Sequence, residues 1–418
     1  MLSRKTRSPV LICSVIFAVG VVVRVWVLLH YVPAEYIAPH TRWEAEAVAV
    51  SLATEGAFAD PYAVPTGPTA HVAPAWPFLL HLVYRGLGLT RTAGYVTWAM
   101  GIVVYATMFA LLPWVSLRLG VGAAPGVLAG FAGAILWIAW PDPAQALAGL
   151  AMELVLVAFV SRWSGARPGL LSSLLVGVGC ALALHAQPAL LPVVAGCMAF
   201  ELWWRRHERA WVGTTVLALG VMLTSVPWTV RNYRALGAPV FMRSNLGLEL
   251  RMAFHEGAHA DLEVSHQRGG ARHPRTSTAE AVRVRELGEV SYMREARDEA
   301  AAWVAAHPTE ALRLVGQRFL YYWFGPLHDP PVAAAYAALT LLAAVGLVRL
   351  MRALSSPQQA ALVIPLLLFP LIYYVMSYMT RYRLPLDWLL LLCAAAGILG
   401  WRAPSRPADD EQSRNRLP

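Results

Sequence analysis

At 418 residues the chain could fill two or three soluble domains, but 57% of it is hydrophobic and only 14% is charged. A soluble fold of that size needs far more charge to cover its surface. The formal charge of +9 is almost wholly arginine, since Lys5 is the single lysine. Those arginines flank apolar runs or sit in one loop, which is the pattern of membrane orientation and excludes a nucleic-acid partner.

Only an internally hydrogen-bonded helix of roughly 20 apolar residues crosses a bilayer core. The first such run is 9–31, behind Arg4, Lys5 and Arg7. A secretory signal has a shorter apolar core and a small-residue cleavage site. Val32-Pro33-Ala34 imitates one poorly, so an uncleaved helix is predicted. Runs at 94–117, 123–140, 144–160, 169–184, 189–204, 211–228, 332–348, 360–379 and 384–401 follow. The predicted fold is an all-α polytopic membrane protein with about ten transmembrane helices. Cys13, Cys180, Cys197 and Cys393 all fall in apolar runs without CxxC spacing and read as small buried residues.

Arg118, Arg162 with Arg167, Arg205 with Arg206 and Arg209, Arg349 with Arg352, and Arg402 with Arg406 occupy alternate joints. The charge rule puts them with the basic N-terminus on the cytoplasmic side. The predicted layout is a cytoplasmic N-terminus and first helix over 1–31, and a first extracytoplasmic loop over 32–93. A helical bundle over 94–228, a second extracytoplasmic segment over 229–329 and C-terminal helices over 330–401 follow, then a disordered cytoplasmic tail over 402–418. Arg381 and Arg383 fall on the outer side against the rule, which makes them candidates for holding a phosphate.

The first loop opens on a helix-compatible stretch, Trp43 to Leu52, with Glu44, Val48 and Ser51 on one face and Glu46 roughly 200° round from Glu44. A carboxylate there is either a general base for an acceptor hydroxyl or a solvated side chain. Asp60 suits a turn or cap, and His71 either binds a polar substrate group or packs against its loop. The run 75–86 suits a helix at the membrane surface.

In the second segment, Arg231 and Arg243 stand near the bilayer edge, with Asn245 as a polar substrate contact beside them. Their guanidinium forks suit a phosphate ester, and head-group anchoring is the alternative. A charged helix over 277–306 and an amphipathic one over 310–324, with Leu312, Val315, Phe319 and Tyr322 on its apolar face, are expected. His255, His259, Asp261 and His266 form a loose cluster. Gly257 interrupts its i,i+4 pair and no fixed third ligand follows, so no metal site is predicted, and a divalent cation is the one cofactor left open. Glu153 and Asp387 lie inside apolar runs and need partners there: another helix for Glu153, Arg381 or Arg383 for Asp387.

The first loop reads as a Glu-led ExxxxAxSL helix from Glu44 to Leu52, then Asp60-Pro61-Tyr62 and Gly67-Pro68-Thr69-Ala70-His71. Later come Pro227-Trp228-Thr229-Val230-Arg231-Asn232-Tyr233, Arg243 to Leu250, His273-Pro274, Gly288-Glu289 with Tyr292, His307-Pro308, and Arg381-Tyr382-Arg383-Leu384-Pro385. In this order, over most of the chain, they resemble the GT-C superfamily of membrane glycosyltransferases, in its family 39 or protein-mannosyltransferase-like branch. The resemblance implies a hexosyltransferase-like enzyme of the cytoplasmic (inner) membrane of a bacterium, with its active face extracytoplasmic. Such an enzyme moves a sugar from a polyprenyl-phosphate donor, held among membrane lipid, to a lipid, glycan or protein acceptor. Relatives carry a catalytic Asp at the head of the first-loop helix; here His40, Thr41 and Arg42 stand near that position and Glu44 comes about one turn later. Glu44 is therefore the candidate base, with Glu46 and Asp60 behind it. A transporter or flippase for a lipid-linked or polar substrate is a second reading, for which Pro188, Pro192 and Pro365 leave room. A catalytically inactive GT-C-like scaffold in polysaccharide assembly is a third.

Overall fold

A computed structural model describes residues 4–39, 43–136, 142–166, 168–208, 210–269 and 272–400. His40, Thr41 and Arg42, the orienting Arg167 and Arg209, and the predicted tail at 402–418 lie outside the described residues. In chain order the helices are α1 (Arg4–Tyr31), α2 (Glu44–Thr54), α3 (Ala75–Leu87), α4 (Arg91–Ala110), α5 (Leu112–Arg118), α6 (Ala123–Ile135) and α7 (Pro143–Ser164). There follow α8 (Leu170–Ala186), α9 (Leu191–Trp204), α10 (Ala210–Leu236), α11 (Leu246–Ala253), α12 (Leu262–Gln267) and α13 (Thr278–Leu287). The last are α14 (Glu289–Ala306), α15 (Pro308–Phe324), α16 (Pro330–Met351), α17 (Ser356–Leu368), α18 (Leu371–Val375) and α19 (Leu384–Ile398). No strand longer than an isolated bridge occurs among the described residues.

Among the described residues six stretches are long and apolar enough to cross a membrane: Val10–Tyr31, Arg91–Ala110, Pro143–Ser164, Ala210–Leu236, Pro330–Met351 and Ser356–Val375. Shorter apolar helices, Ala123–Ile135, Leu170–Ala186 and Pro188–Trp204, fill other predicted runs. The run predicted at 94–117 is broken, because Pro113 enters at the first turn of α5, where its missing N–H costs nothing. Helix α19 is apolar all round except for Asp387, and every residue from Leu384 to Ala396 is buried, as expected of a central helix. It packs on α16, α6 and α7. At the first of these seams a Cβ on Gly346 would lie 1.7 Å from the Cys393 carbonyl, a backbone approach open only to glycine.

Three intramembrane polar residues resolve in three different ways. Arg24, near the outer end of α1 where a long cation is expected to snorkel, is instead buried and donates to Ala134 O at 2.7 Å and Gly133 O at 3.0 Å, capping the last turn of α6. Asp387 does pair, accepting from Arg383 Nε at 2.9 Å. Glu153 is fully buried, and neither carboxylate oxygen has a hydrogen-bond partner among the described residues, so the interhelical bond expected of it is not made.

Segments 32–93 and 237–329 gather at one end of the bundle and share a core. Tyr62 of the first segment packs among Leu248, Met252, Val284, Tyr292 and Met293 of the second. The charged helix predicted over 277–306 is two helices, because Gly288 takes a φ of +76° that only glycine adopts freely. Helix α15 divides its predicted apolar face: Leu312 is 73% exposed and Phe319 44%, whereas Tyr322 is wholly buried, and so is Arg318. Its guanidinium donates to Val375 O at 2.9 Å and to Ala253 O, the last carbonyls of α18 and α11, where helix dipoles favour a cation. Burial pulls its pKa down to about 9, so it stays charged at neutral pH.

Gly247 sets how closely α11 approaches α14, since a Cβ there would lie 1.8 Å from Met293 O. Gly247→Ala is expected to cost about 1–3 kcal/mol through forced separation. Gly316→Ala, at an open position in α15, is expected to be neutral or stabilising by up to about 1 kcal/mol. Thermal melts of the two variants in detergent check the contrast, and equal shifts would reject it.

Candidate functional site

The site is assembled from three separated stretches of chain. The first is α2 with the loop after it. Glu44 begins α2, preceded by Trp43 in an extended conformation, so its side chain leaves the helix at the first turn. The 58–74 loop is shaped by Asp60, which takes a φ of +57° and accepts from Thr66 N and Gly67 N, both at 2.7 Å. Asp60 is thereby committed to the turn. Glu46 points round α2 to Tyr84 on α3, whose hydroxyl pKa is raised first by burial and then by Glu46. Of the three candidate carboxylates Glu44, Glu46 and Asp60, Glu44 is the one that faces His273.

The second stretch is braced against the first by Glu289. Its buried carboxylate accepts from Thr69 Oγ1, from Ala70 N at 2.8 Å and from Ser244 Oγ at 2.6 Å. Burial raises its pKa, and those three hydrogen bonds pull against the rise. Ser244 N also donates to Ala70 O at 3.0 Å. This clamp sets Arg243 beside His71, with Nε donating to His71 O at 2.8 Å. Asn245 is buried and donates to Glu249 Oε1 at 2.8 Å. His273 approaches Glu44, Nε2 to Oε1, at 3.8 Å, and its ring stands 5.9 Å from that of His71. His71 itself is buried with Nδ1 at 2.9 Å from the Tyr62 hydroxyl.

The third stretch is the turn 380–383. Arg381 NH1 reaches Asp142 Oδ2 at 3.3 Å, while Asp142 Oδ1 caps α7 through Ala144 N and Gln145 N. Burial alone would lower the Arg381 pKa, but Asp142, Tyr382 and Glu44 together hold it raised. Tyr382 in turn feels Glu249, Arg381 and Arg243. Glu44, His71, Arg243, Asn245 and Arg381 therefore face one polar cluster.

Two predicted phosphate binders are placed elsewhere. Arg231 donates to Phe58 O at 2.6 Å, to Thr69 O at 2.5 Å and to Asn232 Oδ1 at 3.1 Å, and lies 5.1 Å from both the Phe58 and Trp228 rings. It holds the 58–74 loop on α10. Arg383 is fully buried, paired with Asp387 and seated 3.4 Å over the Tyr336 ring. The charge-rule violation that singled it out reflects a buried pair, not an open cation. Conversely, His273, Glu249, Tyr62 and Asp142 were not singled out as site residues. The His273-Pro274 and Asp60-Pro61-Tyr62 motifs held a signal, whereas Asp142 looks like an ordinary helix cap until Arg381 arrives. The His255/His259 pair is not helical, because α11 ends at Ala253, and His259 Nδ1 instead accepts from Asp261 N.

On the far side of the 58–74 loop lies an apolar groove of about 1250 Å³ between α3, α7, α8 and α10. It follows α8 from Ser172 to Ala186, about 20 Å at 1.5 Å per residue. Phe58, Pro74 and Arg231 line it where it meets the loop.

Burial lowers the pKa of His71, helped by Arg243 and His273, and lowers that of His273 against the pull of Glu44 and Glu249. The unfolded chain takes up these protons near pH 6.5 and the folded chain does not. The stability contributed is therefore fully present above about pH 6.5 and lost as pH falls below it, by up to about 1.4 kcal/mol per pH unit for each histidine. Melts from pH 8 to pH 5 are expected to show this limb, flattened in His71→Gln; an unchanged limb rejects the assignment.

The fold and the cluster define an all-α membrane protein with a polar site built by two loop segments and the 380–383 turn, beside an apolar groove. No protein-family profile matches the chain, and no curated protein does. Among solved structures, it is similar to ArnT from Cupriavidus metallidurans bound to undecaprenyl phosphate, with a TM-score of 0.35 and 12% identity over 93% of this chain and 77% of that one. It is also similar to ArnT from the same organism in the apo state, with a TM-score of 0.28 and 14% identity over 95% and 78%.

Proposed function

We propose that the chain is a membrane glycosyltransferase of the GT-C kind, transferring a sugar from a polyprenyl-phosphate-linked donor to an acceptor hydroxyl at the extracytoplasmic face. The observation that carries this reading is the juxtaposition of a carboxylate, Glu44, and two arginines, Arg243 and Arg381, with a long apolar groove behind the same loop. A lipid-linked sugar phosphate needs both environments at once: an apolar track for its chain and cations for its phosphate.

In this reading Glu44 takes the acceptor proton as the hydroxyl oxygen attacks the anomeric carbon. The bond from that carbon to the phosphate oxygen breaks, and its electron pair leaves on the phosphate. Arg243 and Arg381 stabilise the charge gathering there. Arg243 is suited to this because its Nε is spent on His71 O while no terminal nitrogen is bonded to another described residue. A single displacement inverts the anomeric centre.

The test is transfer by the purified protein in liposomes, using a panel of labelled polyprenyl-phosphate sugars and scoring the configuration of the product. Inverted product from one donor supports the reading. Movement of a lipid-linked sugar across the bilayer without transfer would overturn it in favour of a flippase.

A further inference from the structure

Glu44, His71 and His273 offer ligand atoms that lie within 4.8 Å of one another. Two imidazoles and a carboxylate are a donor set that suits a zinc-type cation. The detailed geometry argues against one. Ligands bound at about 2.1 Å to a single ion stand no more than about 4.2 Å apart, so the trio must contract. More decisively, Arg275 N–H donates to His273 Nδ1 at 3.0 Å. A ring nitrogen that accepts carries no proton, so the neutral imidazole holds its proton on Nε2. That is the atom facing Glu44. A metal needs a lone pair there, and a ligating histidine normally donates through its other nitrogen, the reverse of what Nδ1 does here.

We infer that His273 is a positioning residue for Glu44, its Nε2–H directed at the carboxylate so that one oxygen is held and the other is turned to the acceptor hydroxyl. This rests on the transferase reading. The ring sits on a fixed platform. Arg275 donates to Pro61 O at 3.1 Å and Tyr62 O at 2.7 Å, and Ala63 N donates to Pro274 O at 3.2 Å. The 272–275 stretch is thus tied to the same turn that carries Tyr62. The groups around the ring are Glu44 from α2, Glu249 and Arg251 from α11, His266 from α12, and Tyr62 and His71 from the 58–74 loop. Burial keeps the imidazole neutral, and therefore a one-proton donor on this side. The 3.8 Å gap is longer than a hydrogen bond, and rotation of the Glu44 side chain closes it as substrate enters. During transfer the acceptor proton passes to Glu44, and His273 keeps its own.

Two readouts test this separately from the transferase reading. In protein labelled with 15N-histidine, with His273→Gln assigning the signal, His273 is expected to show a protonated Nε2 and an unprotonated Nδ1. A proton on Nδ1, or stoichiometric Zn2+ binding that shifts this ring, overturns the inference whether or not a donor has been found. In the transfer assay, His273→Leu is expected to lower kcat about 10–100-fold with KM within about threefold, since a charge-assisted bond to the base is lost. His273→Gln, whose amide N–H can still donate, is expected to recover most of kcat and to lose the part of the acid limb that His273 contributes. Wild-type kcat in His273→Leu, or a change in KM alone, overturns it. A wild-type protein inactive with every donor counts instead against the transferase reading.

Discussion

Glu44→Gln is expected to lower sugar transfer by at least about 100-fold, the usual range for a general base being 10²–10⁴, with little change in KM for the lipid donor. The amide keeps the size and most polar contacts of the carboxylate but cannot accept the proton. The thermal midpoint should move little, because the Glu44 side chain is partly exposed and its approach to His273, at 3.8 Å, is to a neutral imidazole. Asp60→Asn is the contrast. Its oxygen accepts two turn N–H groups, so it should affect stability before chemistry. Full transfer activity in folded Glu44→Gln would remove the assignment and leave Glu249, across His273, as the next carboxylate to test.

Asp387→Asn is expected to be the most damaging single change to the fold, by about 3–5 kcal/mol, because it leaves the wholly buried Arg383 guanidinium without a counter-charge. Replacing both partners with Arg383→Met and Asp387→Leu should recover most of that loss, since a buried ion pair and an apolar pair of similar volume are often close in stability. The Tyr336 ring, 3.4 Å from the guanidinium, would then pack on methionine. Melts of the single and double variants in one detergent form the cycle. An Asp387→Asn protein as stable as wild type would show that Tyr336 and the Trp323 and Thr340 oxygens suffice to hold the cation.

Much of the architecture was legible in the chain because a bilayer leaves a helix few choices. Apolar runs of helical length, interrupted by arginine pairs, mark helices without any knowledge of their neighbours. The two polar segments, the turn at Asp60 and the surface helix 75–86 could be read from local chemistry in the same way. Local pattern also drew attention to Glu44, His71 and Arg243, since a carboxylate at a helix start, a histidine in a turn and an arginine near the bilayer edge are visible in a few residues.

What a side chain does with its charge was decided only in three dimensions. Arg231, Arg243, Arg381 and Arg383 are the same residue type in similar surroundings along the chain, yet their fates diverge. The first is spent on backbone carbonyls and the last on Asp387, while Arg243 and Arg381 face the cluster. The partners that separate them are as far away as Asp142, 239 positions from Arg381, and His71, 172 positions from Arg243. Burial and electrostatic pairing depend on distances through space, which sequence spacing does not carry. The sequence by itself determined a helical membrane chain with two polar segments; the tertiary structure decided which of its charges are spent on buried partners and which face the polar cluster.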